Sequence, residues 1–193
     1  MEPTFLACFE TAIGPCGVAW SGTTLRAVQL PEADAAATAA RLASRRPEAT
    51  AAEPEGTIAA AVAAIRALLD GAPLSLAEIA IDEEALGRFD RDVYRAARRV
   101  LPGETSTYGA IATAIGRPAE ARAVGQSLAR NPFPIVVPCH RILAAGGRTG
   151  GFSGAGGVDT KLKMLTIERA RITDEPGLFD TAGLPLARRP ASP

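Results

Sequence analysis

Cysteine, histidine and aromatic side chains are scarce in this chain of 193 residues, which contains three Cys, one His and 5% aromatic residues. The odd, sparse set of cysteines (Cys8, Cys16 and Cys139) provides no disulfide framework and favours a reducing compartment. No apolar run is long enough to span a bilayer, and no basic segment followed by an apolar run opens the chain. We therefore expect a soluble, cytoplasmic protein without a signal peptide.

Charge is balanced overall, with 21 basic and 21 acidic residues, but it is unevenly distributed along the chain. Residues 1–86 contain five Arg against twelve acidic residues, whereas residues 87–148 contain ten Arg against four. A basic middle region favours contact with a polyanion, although runs of charge are about as often solvated surfaces. The pattern alone does not decide between the two.

The first part of the chain predicts a small α/β unit with a mostly antiparallel sheet. Short strands separated by Gly-containing turns are expected between Phe5 and Leu30. Two helices are expected at 34–43 and 57–69, with an exposed loop between them at 45–56. A further strand is expected at 76–81. Asp34 and Thr57 are expected to cap the two helices.

The second part predicts helices at 90–101, 106–115 and 119–129, with a turn at Gly116-Arg117-Pro118. Two helices joined by a short Gly-containing turn are typical of a helix-turn-helix, but they also occur in many other helical domains. The chain is thus α+β, with expected divisions at 1–84, 85–170 and a flexible tail at 171–193.

The third of these helices has unusually small side chains at Ala119, Ala121, Ala123, Gly125 and Ser127. Close packing against another helix explains such a surface most simply. The functional interpretation is a helix pressed into the minor groove of DNA, where large side chains would clash.

Cys139 lies between Pro138 and His140, the only histidine in the chain. A lone Cys is most often a small buried apolar residue, but beside a His on a proline-flanked segment it is a candidate nucleophile. Neighbouring side chains of an extended segment point apart, so His140 would act through local curvature or through one water. Glu168, in a helix predicted at 160–170, is the best candidate to orient the imidazole, or else it is a solvated helix residue.

The run Pro138-Cys139-His140-Arg141-Ile142, preceded by Arg122-Ala123-Val124-Gly125 and Asn131-Pro132, resembles the signature of the O6-alkylguanine-DNA alkyltransferases. Tyr108, Gly151-Phe152-Ser153-Gly154, Lys161 and Glu168 follow in the family's order. The similarity covers residues 5–170 and is strongest over 88–170.

This resemblance implies a ribonuclease H-like N-terminal unit, followed by a winged-helix or helix-turn-helix domain that binds the minor groove of double-stranded DNA containing alkylated guanine. It implies that Tyr108 helps to rotate the damaged nucleotide out of the duplex and that Arg122 fills the gap. The remaining DNA-contacting positions that it implies are Ala121, Ala123, Gly125 and Arg130.

The same resemblance implies that Cys139 takes the alkyl group once and irreversibly, without a cofactor, after His140, oriented by Glu168, activates the thiol through a water. O4-alkylthymine is left open as a second substrate. The implied base pocket is lined by Asn131, Val137, Pro138, Phe152 and Ser153.

Two features depart from the family pattern. Phe152 stands where many members have a Tyr that can donate a hydrogen bond to the leaving guanine. The structural zinc of some members has no counterpart, because the N-terminal half holds only Cys8 and Cys16 as ligands.

Leu178 and Phe179 loosely resemble a peptide that docks on bacterial sliding clamps, although such an apolar pair more often holds a tail to its own domain. Two other functions stay open at this point: a Cys-His hydrolase, and a non-catalytic module that binds lesions.

Overall fold

The computed structural model describes residues 2–149 and 156–170. A four-stranded sheet with two helices comes first, and a mostly helical part follows, which confirms the predicted α+β class. No helix within these ranges is long and apolar enough to cross a membrane.

The N-terminal sheet contains β1 (Phe5–Phe9), β2 (Cys16–Ser21), β3 (Thr24–Gln29) and β4 (Thr50–Ala51) in the spatial order β3-β2-β1-β4. The first three strands are antiparallel, and β4 pairs in parallel with β1. Every residue of β2 is buried, as expected for the central strand of a covered sheet. The sequence predicted a loop where β4 lies, because its two exposed residues carry no apolar pattern.

Two helices belong to this first part. In α1 (Ala35–Arg45), the Asp34 carboxylate accepts a hydrogen bond from the backbone N–H of Ala37 at 2.7 Å, which confirms the predicted cap. In α2 (Gly56–Leu69), the cap prediction was wrong: Thr57 lies inside the helix, and the capping position is Glu55, whose side chain makes no capping bond.

The strand predicted at 76–81 is not formed, apart from a single bridge between Ile81 and Leu25. The Arg98 guanidinium instead donates hydrogen bonds to the carbonyls of Leu76, Ala77 and Ile79, at 3.1, 2.7 and 2.6 Å. A side chain thus satisfies backbone acceptors that a neighbouring strand would otherwise occupy.

The second part contains α3 (Arg88–Ala97), β5 (Ser106–Thr107), α4 (Tyr108–Ala114), α5 (Ala121–Ala129), β6 (Ile142–Leu143) and α6 (Gly157–Ile167). The helix predicted from Ser106 begins two residues later, because β5 pairs in parallel with β6. Thr107 caps α4, because its hydroxyl oxygen accepts a hydrogen bond from Ala110 N at 3.1 Å.

The two parts share one apolar core, which includes Trp20 and Ile65 of the first and Val93 and Met164 of the second. They are also joined by a backbone hydrogen bond from Val28 N, in β3, to Pro132 O at 2.8 Å. The segment that leads to Cys139 is therefore held against the edge of the N-terminal sheet.

Candidate active site

Two hydrogen bonds of the Asn131 side chain fix the backbone of the segment before Cys139. The Asn131 side-chain oxygen accepts from Phe133 N at 2.9 Å, and its amide nitrogen donates to Val137 O at 2.9 Å. Ile135 lies between the two residues that Asn131 bonds, has a φ of 75° and is only 1% exposed. A β-branched residue rarely adopts this conformation, so the surrounding contacts must hold it in place.

Cys139 opens a single 3-10 turn, Cys139–Arg141, and its side chain is buried. Burial raises the pKa of the thiol, which outweighs the opposite effects of a hydrogen bond from Asn131, the charge of Lys161 and nearby backbone N–H groups. The thiol is therefore protonated at rest, and a nucleophilic sulfur requires a base.

His140 supplies a base in the same turn. Its Nε2 lies 3.0 Å from Glu168 Oε1, and the ring is 1% exposed. Because an ionised carboxylate only accepts hydrogen bonds, Nε2 carries the proton and donates it, which leaves Nδ1 with a free lone pair. Nδ1 is buried, and no partner for it exists among residues 2–149 and 156–170.

The charge state of His140 follows from its surroundings. Burial lowers the pKa of the imidazole, and the neighbouring charge and hydrogen bond of Glu168, which act in the opposite direction, do not cancel this effect. At neutral pH the ring is thus a neutral base able to accept a proton at Nδ1.

Glu168 directly follows α6 as its C-cap, and its carboxylate is 2% exposed. Arg141 binds it with two hydrogen bonds, Nε to Oε2 and Nη2 to Oε1, both 2.8 Å long, and its Nη1 donates to Val100 O at 2.7 Å. Burial alone would raise the pKa of Glu168, but the charge that His140 carries when it is protonated, together with the hydrogen bonds from Arg141 and His140, lowers it to about 2. The carboxylate therefore stays ionised beside the imidazole.

The sequence did not assign a role to Arg141 beyond its place in the motif. Its guanidinium joins the 139–141 turn to the end of α6 and to Val100, just after α3. These partners are 27 and 41 residues away, so spacing carried no signal for this contact.

The small-residue helix, α5, turns two different faces to its surroundings. Val124, Ser127 and Leu128 are buried in the core. The small side chain of Ser127 is therefore explained by close packing within the protein. Arg122 is exposed, and within the described part of the chain it forms no ion pair. Ala121, Ala123 and Gly125 are partly exposed, which leaves a shallow surface around Arg122.

Tyr108, the first residue of α4, lies next to this surface at Gly125. A Cβ atom placed on Gly125 would lie 3.8 Å from Cδ1 of the Tyr108 ring. Burial raises the pKa of Tyr108, and the charge of a Cys139 thiolate acts in the same direction, so the two side chains are electrostatic neighbours. The structure thus brings α5, Tyr108 and the cysteine turn together.

The remaining predicted site residues divide into three groups. Val137 and Pro138 are buried beside Cys139, and the carbonyl of Val137 is occupied by Asn131. Arg130 is 63% exposed and contacts Asp90 at 3.3 Å, so it lies at the surface. Outside the described residues are Phe152, Ser153, Leu178 and Phe179.

The structure offers no cluster of three or more His, Cys, Asp or Glu side chains that could hold a metal ion, as far as residues 2–149 and 156–170 are concerned. Within the same ranges, all three cysteines are free thiols.

Comparison with known proteins identifies similar chains. A family model described as "6-O-methylguanine DNA methyltransferase, DNA binding domain" matches residues 88–170. The methylated-DNA–protein-cysteine methyltransferase of Mycobacterium leprae is 39% identical over 126 residues, which are 65% of this chain and 73% of that protein.

Two solved structures from Mycobacterium tuberculosis are also similar, each at 30% sequence identity. The structure of its O6-methylguanine methyltransferase matches with a TM-score of 0.71, and the matched region is 92% of this chain and 99% of that chain. The structure of OGT in complex with DNA matches with a TM-score of 0.69, and the matched region is 85% of this chain and 92% of that chain.

Proposed function

We propose that this chain, which belongs to the family of methylated-DNA–protein-cysteine methyltransferases, repairs O6-alkylguanine in duplex DNA by transferring the alkyl group to Cys139. The observation that carries the proposal is the hydrogen bond between the buried Glu168 and His140, which leaves Nδ1 of His140 without a partner among the described residues and in the same turn as the thiol. This arrangement provides a base for the thiol and holds the imidazole of His140 in one tautomer.

The chemical step is a displacement at the alkyl carbon. The thiol proton passes through a bridging water to Nδ1 of His140, and the sulfur forms a bond to the alkyl carbon. The bond between that carbon and O6 breaks, guanine leaves with the electron pair, and uptake of one proton restores neutral guanine. The ionised Glu168 stabilises the imidazolium that forms.

Each molecule reacts once. The product is a thioether, and neither His140 nor Glu168 can hydrolyse a carbon–sulfur bond of this kind. The protein is consumed by the reaction, and the proposed chemistry uses no cofactor.

DNA binding is assigned to α5 and Tyr108. The shallow surface of Ala121, Ala123 and Gly125 suits close approach to a minor groove. To the exposed Arg122 we assign the gap that a rotated nucleotide leaves in the duplex. Tyr108 then contacts the backbone near the flipped base and helps to rotate it. The solved complex of a related protein with DNA supports DNA as the partner of this chain.

Finer features of the architecture belong to the same proposal. The N-terminal unit is ribonuclease H-like, which the order β3-β2-β1-β4 with β4 parallel to β1 supports. The C-terminal unit is of the winged-helix type, which is supported by the short β5–β6 ladder beside α4, the helix that packs against α5. We place the division between the units near residue 84, and the free thiols favour a cytoplasmic location.

The test is incubation of the protein with duplex DNA containing one O6-methylguanine, followed by intact-protein and peptide mass spectrometry. We expect one added methyl group, located on the peptide with Cys139. Cys139→Ala should lose transfer and still bind DNA, whereas the matched control Cys8→Ala should retain both. Turnover of substrate with an unmodified protein would favour a hydrolase, and an intact lesion on bound DNA would favour a non-catalytic binding module.

A further inference from the structure

Lys161 is a buried cation that has no part in the reaction steps described above. It lies in α6, its exposed fraction is 0%, and its Nζ donates a hydrogen bond to Ile142 O at 2.7 Å. Ile142 follows the active-site turn directly, and its backbone N–H donates to the carbonyl of Cys139. The ammonium is therefore fixed to the backbone of the turn that carries the nucleophile.

This ammonium has no anionic partner in the resting protein, as far as the described residues are concerned. Arg141 is neutralised by Glu168, and the His140 ring is neutral. Burial of an uncompensated ammonium is costly, because within the described residues Nζ exchanges its hydration for one carbonyl, that of Ile142. An anion formed at this site would find its counter-ion already in place.

The groups that interact with the charge of Lys161 identify that anion. Among the described residues they are Cys139 and His140, both from the 139–141 turn. Glu168 follows the same helix, but His140 and Arg141 occupy its carboxylate. Of these groups, only Cys139 gains a negative charge during the reaction.

We propose that Lys161 is a positioning residue that serves as the resident counter-ion of the Cys139 thiolate. It lowers the free energy of the thiolate in the transition state, while His140 removes the proton. This role deepens the proposed function, since it rests on Cys139 being the nucleophile, but it concerns the reactivity of the sulfur rather than the recognition of DNA.

The effect of Lys161 on the thiolate should depend on pH. Burial lowers the pKa of Lys161 to about 8, and a thiolate at Cys139 would raise it. Below this pH the resting protein already carries the ammonium, so its full effect on the thiolate is available. Above it the ammonium must first regain a proton, and its advantage over a neutral side chain falls by up to about tenfold for each further pH unit.

The test measures alkylation of Cys139 by iodoacetamide between pH 6 and pH 10, quantified on the peptide that contains Cys139. Lys161→Met keeps a long, unbranched side chain and removes the charge. We expect it to react about 10- to 100-fold more slowly than the wild type below pH 8, with the difference shrinking above that pH. Lys163→Met, exposed on the same helix, is the matched control and should react like the wild type.

Lys161→Arg separates charge from shape, because a guanidinium stays protonated throughout this range. Its rate should keep rising above pH 8, where the rate of the wild type levels off. A rate difference for Lys161→Met that is the same at every pH would mean a purely structural role, and no difference would mean no role; either result overturns the proposal. Because iodoacetamide needs no DNA, failure of DNA repair would leave this result unaffected.

Discussion

Glu168→Gln tests whether the charge of Glu168 serves the chemistry as well as the fold. The substitution keeps the shape but leaves the buried Arg141 without its counter-ion, a loss that costs about 3–5 kcal/mol of the free energy of unfolding. In a protein of this size each kcal/mol lowers the Tm by about 2–4 °C, so the Tm should fall by about 6–20 °C.

The same change should slow methyl transfer by about 10²- to 10⁴-fold. An amide can present its NH₂ group to Nε2 of His140, which places the ring proton on Nδ1 and blocks the base. It also removes the negative charge that stabilises the imidazolium.

The double variant Glu168→Gln, Arg141→Met separates the two effects. It removes the unpaired charge, so it should recover most of the lost stability, short of about 1 kcal/mol for the hydrogen bond that Val100 O no longer receives. Transfer should remain slow. The assays are urea unfolding and single-turnover methyl transfer on the same samples, and recovery of transfer together with stability would refute a chemical role for Glu168.

Two further predictions concern the same site. The stability difference between the wild type and Glu168→Gln should narrow as the pH falls from about 4.5 to about 2, because a carboxylate with a lowered pKa stabilises the fold only while it is ionised; a difference that is constant over this range in urea unfolding would contradict the pairing. Asn131→Ala should lower the free energy of unfolding by about 1–3 kcal/mol and slow transfer, since it releases both bonds that bracket the strained Ile135. Asn131→Asp, which retains the acceptor for Phe133 N, should be less destabilised in the same unfolding assay, and equal losses would show that this acceptor does not matter.

The sequence was most informative where chemistry is local. Cys139 and His140 are adjacent in the chain, and their turn carries a long motif, so both could be predicted. The Asp34 cap could be predicted for the same reason, because its partner Ala37 is three residues away. Glu168 lies 28 residues from His140, and its role was predicted through the family resemblance, because spacing alone left it open.

Contacts between distant residues could not be predicted in this way. Lys161 bonds to a carbonyl 19 residues away, and Arg141 bonds to Glu168 across 27 residues, so neither contact leaves a periodic pattern. β4 was missed because it is two exposed residues long. The strand predicted at 76–81 failed because Arg98 takes up the carbonyls that a partner strand would have used.

Direct transfer of the alkyl group from guanine to Cys139 can be followed with an isotope label. The protein is incubated with excess duplex DNA in which the methyl carbon of O6-methylguanine is carbon-13, and the label is then measured in protein and DNA. We predict one labelled methyl group per protein, on the sulfur of Cys139, and an equal amount of restored guanine. Label released as free methanol, or carried by a residue other than Cys139, would contradict it.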